Sequence, residues 1–180
     1  MVPASNGPCI ISFQSAAFQE ENVAKGSETS IRQVSVSLED ASIRTTSEEP
    51  FQEAAGAVDL SSAEVIVSVG RGIGIEENLP IAKELAAAIK AELAASRPVV
   101  DSGWLEGYHQ IGSSGQTVAP KLYFALGISG AIHHVVGMKG SKNIVIINKD
   151  PEAPLFELAD YGVVGDLLEI VPKLTEVLRG

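Results

Sequence analysis

The residues able to do chemistry fall in short glycine- and serine-rich stretches, not in a catalytic triad or a metal signature. Gly70-Arg71-Gly72-Ile73-Gly74 sets a guanidinium among three glycines, where backbone N–H groups and a fixed cation could approach a pyrophosphate. It is shorter than the full dinucleotide fingerprint, and a tight turn needing small residues explains it equally well. Ser96-Arg97 adds a second cation, for which a phosphate, an anionic ring or a plain surface ion pair is a possible partner. Gln110, Ser113 and Ser114 crowd around Gly112 and Gly115, as a polar loop or as a ligand cradle. Ser129-Gly130 and Asn148-Lys149-Asp150-Pro151 complete the set. His133 and His134 are neighbours; on a helix their side chains diverge by about 100°, which rules against joint chelation of a metal. A GxSxG nucleophile elbow is missing.

These stretches need elements to hold them. Val65-Ile66-Val67-Ser68-Val69 is β-branched and apolar on both faces, as a buried parallel strand is. Asn78 and Pro80 open a helix in which Ala82, Leu85, Ile89 and Leu93 recur at helical spacing. The next strand is expected at 98–100, placing Arg97 at its start. A short helix is expected within 129–137, a strand at 143–147, a short helix at 155–159 and a short strand at 163–164. A final helix carries the stripe Leu167, Leu168, Val171, Leu174, Val177 and Leu178, with Pro172 kinking it or starting its second half. Alternating strands and helices predict an α/β fold, a parallel sheet covered by helices on both faces. The polar stretches then lie at the carboxyl ends of strands, where such sheets bind ligands.

Before residue 60 the chain is polar and acidic, with only two strand-like runs, at 9–13 and 34–38. It reads as an N-terminal β arm, residues 1–60, ahead of a domain at 61–180. The net charge of −10 disfavours a nucleic-acid partner but not one anionic dinucleotide held by local cations. No apolar run approaches the roughly 20 residues of a membrane helix, so direct membrane insertion is not expected. One cysteine, Cys9, allows no internal disulfide.

Three segments carry a resemblance: VSVGRGIG (67–74), ASRPVVDSGW (95–104), and the tract from QIGSSG at 110 to 178, with APKLYFALGISGAIHH and INKDPEAPLFELADYGVVGD its most specific parts. Over residues 61–179 the chain resembles the C-terminal domain of electron transfer flavoprotein alpha subunits. The arm resembles the closing strands of that family's N-terminal domain, and the resemblance implies a truncated subunit. It also implies a Rossmann-like three-layer fold of the deoxyhypusine synthase-like NAD/FAD-binding type, with FAD as cofactor. Arg71, Gly72, Ser96, Gln110, Gly112, Ser113 and Gly115 would line the FAD pocket. Ser129, Gly130, Ala131, Asn148, Asp166 and Leu167 would line it too. Arg97 matches an arginine beside the isoalloxazine ring that favours the singly reduced, anionic flavin. Ser114 stands at a usual threonine, keeping a hydroxyl for the flavin N5. His134 matches a hydrogen-bond donor near the pyrimidine end of the ring. Ser113 replaces a usual glutamine, and His133, where many relatives have glutamine, is assigned no role.

The function implied is electron transport, not independent turnover of a substrate. A beta subunit would complete a heterodimer. Flavoprotein dehydrogenases, such as acyl-CoA dehydrogenases, would donate electrons, and a membrane oxidoreductase would accept them. The implied location is the cytoplasm, or the mitochondrial matrix in a eukaryote. Two other readings stay open: an NAD or adenine-nucleotide module without redox work, and an interaction domain docking through its acidic arm.

Overall fold

A computed structural model describes residues 58–179, together with residues 26, 32, 33 and 35. The strand expectations of the arm, Ser35 apart, lie outside the described residues.

Five parallel strands form one sheet in the order β2-β1-β3-β4-β5. They are β1 (Val65–Val69), β2 (Glu92–Ala95), β3 (Leu122–Leu126), β4 (Ile144–Asn148) and β5 (Tyr161–Val164). Because side chains alternate across a strand, the sheet builds two cores. On one face Ile66, Tyr123, Ala125, Ile144 and Ile146 pack with Met138 of α3 (Ile132–Met138) and with Leu155. On the other, Val67, Val69, Phe124, Leu126 and Ile147 meet α1 (Leu79–Ala88) and α4 (Leu167–Arg179), which lie side by side. The result is the expected three-layer α/β fold. Leu60 is fully buried in the first core, and the Gln116 side chain holds its N–H and the Val58 carbonyl, so residues 58–60 pack with the domain.

Several local expectations are corrected. The helical spacing that ran to Leu93 stops at Ala88, Lys90 turns the chain with a left-handed φ of 54°, and Glu92–Ala95 is the edge strand β2. The strand expected at 98–100 is instead a short helix, α2 (Arg97–Asp101). Pro98 sits in its first turn, where a missing N–H breaks no helical hydrogen bond. Arg97 thus opens a helix and does not start a strand. Strand β3, where no strand is expected from sequence, lies at the centre of the sheet. Asn78 makes no capping bond; its amide donates to the Ile73 carbonyl at 2.8 Å. Residues Pro154–Leu158 form a 3-10 helix, and Pro172 lies within one continuous α4.

The strand order reverses direction between β1 and β3, so their following loops part to opposite sides and leave a crevice. Just beneath it the two loops touch. Gly70 N–H donates to the Leu126 carbonyl at 2.8 Å and Gly72 N–H to the Gly127 carbonyl at 3.0 Å. A Cβ on Gly72 would lie 2.7 Å from Gly127 Cα, and one on Gly70 would strike the Gly127 carbonyl. Both glycines are therefore required by backbone-to-backbone contact within the protein. We expect Gly72→Ala to lower the unfolding free energy in a urea titration by roughly 2 kcal/mol or more, since only backbone lies in the way. A loss under about 0.5 kcal/mol, the range of a neutral surface change, would show that the loops separate freely.

Candidate functional site

The loops at the carboxyl ends of β1 to β4 converge on one open cleft of about 680 Å³. That volume is in the range of small-molecule and cofactor sites. From the loop after β1 come Arg71 and Gly72; from the end of β2 come Ser96 and Arg97. The 110–115 loop supplies Gln110, Gly112, Ser113 and Ser114. Beyond β3 stand Ser129, Ala131 and His134, and beyond β4 Asn148. The residues singled out from sequence thus share one wall system.

Others do not. Gly115 makes the turn of its loop, where a Cβ would strike the Gln110 carbonyl, and Gly130 packs against the Leu155 backbone with φ 91°. Leu167 is buried core between α4 and Gly127. Asp166 opens α4: its Oδ1 accepts from Leu168 N–H at 2.9 Å and its Oδ2 pairs with Lys149 Nζ at 2.9 Å. The bonds from Lys149 and Leu168 hold its carboxyl below the usual carboxylate range. Its acceptors are committed to the protein and not turned to the cleft. Seven lining residues went unassigned from sequence: the apolar Pro98, Ile111 and Ile128, the glycines Gly70 and Gly127, and the polar His133 and Asp150. The apolar ones gave no signal because isolated aliphatic residues in loops are common.

Among the described residues, Arg71 and Arg97 bring positive charge to the cleft. Arg71 is exposed and has no acidic partner among the described residues. Arg97 Nε lies 3.3 Å from Asp101 Oδ2 one helical turn on, with both side chains largely in solvent. An exposed pair of this kind holds weakly, leaving the guanidinium available to an anion. Asn148 is spent on structure: its amide donates to Ile128 O at 3.0 Å and its oxygen accepts from Asp150 N–H at 3.1 Å, tying the β3 and β4 loops together. Gln110 Nε2 donates to Ser114 Oγ at 3.0 Å, which leaves the Ser114 proton free to donate.

The 110–115 loop is fixed from below. Ile111 N–H donates to Ala95 O at 2.9 Å, extending the β2 ladder past its last residue. Gly112, at φ 142°, and Gly137 let the loop lie directly on α3, where a Cβ on Gly112 would sit 2.8 Å from the His133 carbonyl. His134 completes the seam. Its Nδ1 is 3.2 Å from Ile111 O, and since a carbonyl only accepts, Nδ1 carries the hydrogen. Nε2 then accepts from Tyr123 O–H at 2.8 Å. Burial pushes His134 down to about 4 and pushes the Tyr123 phenol up, so both stay neutral at physiological pH. His134 thus lies on the cleft wall, as the resemblance implies, with both ring nitrogens hydrogen-bonded inside the protein in this structure.

The same burial makes stability depend on pH. The folded His134 binds its proton near pH 4 and the unfolded one near 6.5, so between these values the unfolded chain holds more protons. Stability is therefore highest above about pH 6.5 and falls as pH drops towards 4. The loss is on the order of 3 kcal/mol. Urea unfolding at pH 7 and pH 4.5 should show this loss in the parent chain. In His134→Gln most of the slope should vanish, and a retained slope would assign it to other groups.

Residues 59–139 match a family described as the electron transfer flavoprotein FAD-binding domain. An electron transfer flavoprotein subunit alpha of Thermoanaerobacterium thermosaccharolyticum is 49% identical over 142 residues, 79% of this chain and 43% of that protein. The one from Mycobacterium leprae is 54% identical over 121 residues, 67% of this chain and 38% of its own. That of Bacillus subtilis is 50% identical over 150 residues, 83% of this chain and 46% of its own. The chain spans less than half the length of each of these three relatives. Through the domain at residues 59–139, the chain belongs to the family of electron transfer flavoprotein alpha subunits.

Proposed function

We propose that the cleft holds FAD and that the domain serves an electron carrier. In this reading the carrier takes electrons from flavoprotein dehydrogenases, such as acyl-CoA dehydrogenases, and yields them to a membrane oxidoreductase or another acceptor. A beta subunit completes the carrier, and the domain turns over no substrate of its own. One observation carries the reading: two arginines, a free hydroxyl and three apolar side chains meet in one cleft at the strand-order reversal. That donor set suits a ligand that is anionic along its chain and flat and apolar at one end.

The bound flavin supplies the electron chemistry. The chain's part is to bind, orient and bias. Arg71 neutralises phosphate charge beside the β1 loop, in a cleft it shares with the exposed Ser129. Ile111, Ile128 and Pro98 shield a planar ring from water. Ser114 offers its hydroxyl proton to a ring nitrogen. Arg97 brings a fixed positive charge that favours added negative charge on the ring, partly offset by Asp101.

Titrating the full chain with FAD, followed by quenching of flavin fluorescence and by visible absorbance, tests the reading. Saturable one-to-one binding is expected, with NAD failing to compete. Arg71→Ala should weaken binding about tenfold, a change of about 1.4 kcal/mol. Arg97→Ala should lower the reduction potential of bound flavin by tens of millivolts, measured by dye equilibration. Binding of NAD in preference to FAD would replace this reading with that of a non-redox nucleotide module.

A further inference from the structure

A second concavity, of about 530 Å³, opens beside the edge strand β2 and shares no lining residue with the cleft at the strand-order reversal. Two aromatic side chains line it, Trp104 and Tyr108, together with Leu93 of β2 and Ala86 of α1. Both aromatics are half-buried, and their backbone is fixed. Gly103, at φ 76°, turns the chain out of α2, and Trp104 N–H donates to the Val99 carbonyl at 3.3 Å. The Tyr108 carbonyl accepts from Gln116 Nε2 at 2.6 Å. The Tyr108 ring stands 4.6 Å from the His109 ring, tilted by 44°, and His109 Nδ1 donates to Leu93 O at 2.7 Å. The aromatic walls are thus held by α2, by the sheet edge and by Gln116.

The charge of this groove is uneven. Glu92, at the start of β2, and Glu106, just before the 3-10 turn Gly107–His109, are exposed on its lining. Neither pairs with a cation among the described residues. Lys83 is the one lysine or arginine of the lining. The faces of aromatic rings are electron-rich, so rings and carboxylates here select the same ligand, a cation with a flat apolar face. A guanidinium fits better than an ammonium, because it stacks on rings while its N–H groups reach carboxylates.

We propose that this groove is a docking site for an arginine side chain of a polypeptide partner, stacked on Trp104 and paired with Glu92 and Glu106. Charge complementarity commits it to that occupant: two carboxylates stand against one lysine, on a chain of net charge −10. The volume suits a ligand larger than one guanidinium, which leaves Leu93 and Ala86 to meet the residues flanking the arginine. The proposal is independent of the FAD reading.

Trp104 is the only tryptophan of the chain, so its emission reports on the groove. The test titrates the full chain, near neutral pH and at constant ionic strength, with the blocked tripeptide acetyl-Ala-Arg-Ala-amide, its citrulline counterpart and methylguanidinium. A saturable change of emission is expected with the arginine peptide, and at least ~3-fold weaker binding with the other two. Glu92→Gln and Glu106→Gln should each weaken the arginine peptide at least ~3-fold. Glu169→Gln, which removes the same charge from the exposed first turn of α4, should leave it unchanged. A citrulline peptide that binds equally well, an equal loss in Glu169→Gln, or no saturable response to the arginine peptide overturns the site. Methylguanidinium binding as tightly as the peptide overturns polypeptide docking and leaves a site for small organic cations. The three probes on the parent chain decide the matter even where a variant fails to fold.

Discussion

The structure depends on one contact of bare backbone. At the reversal of strand order, the loops leaving β1 and β3 would splay apart, yet they lie against each other through Gly70, Gly72 and Gly127. The sheet's hydrogen-bond ladder runs on into these loops: Gly127 N–H reaches the Ile147 carbonyl at 2.9 Å, and Ser96 N–H reaches Val69 O at 2.9 Å. The floor of the cleft is thus a continuation of the sheet, with the rigidity of paired strands. Side chains on such a floor keep their positions relative to one another, which a site built of independent loops does not ensure.

A second seam fixes the wall. The 110–115 loop is hung from β2 at Ile111, pressed onto α3 through Gly112 and Gly137, and pinned by the neutral His134 to both Ile111 and Tyr123. Gln116 holds the loop's far end through Leu60, Val58 and Tyr108. Long loops are usually the mobile parts of a domain; this one is short of freedom because its backbone is tied to the sheet and to α3, and Gln116 ties its far end to residues 58–60.

The cleft was more legible than the elements around it. Turn-forming and polar residues cluster by necessity where strands end, so reading Arg71, Ser96, Gln110, Ser129 and Asn148 as one rim needed only the parallel-sheet rule. Strand β2 was missed because Glu-Leu-Ala-Ala has little intrinsic strand preference; pairing with β1 decides its state. The helix α2 was read as a strand because two valines outweighed the proline before them. The glycines were found, but for a different purpose: Gly70 and Gly72 make room for Gly127, a partner 55 residues or more along the chain that no local pattern reveals. His134 was placed in the cleft, where its ring nitrogens bond Ile111 and Tyr123. His133, assigned no role from sequence, lies on the cleft wall with Ser113 Oγ, from a residue 20 positions earlier, 3.3 Å from its ring.

Asn148 gives the rim a fixed chemical polarity. Its amide nitrogen gives to Ile128 while its oxygen takes from Asp150, so the side chain reads polarity in one sense only. Slow hydrolytic loss of that nitrogen, an ageing reaction common to asparagines, would turn a carboxylate oxygen towards a carbonyl oxygen. Repulsion would then replace a hydrogen bond between the third and fourth loops, and a new negative charge would stand where an anion is to be received. The join between these two loops therefore hangs on which atom of one side chain is nitrogen.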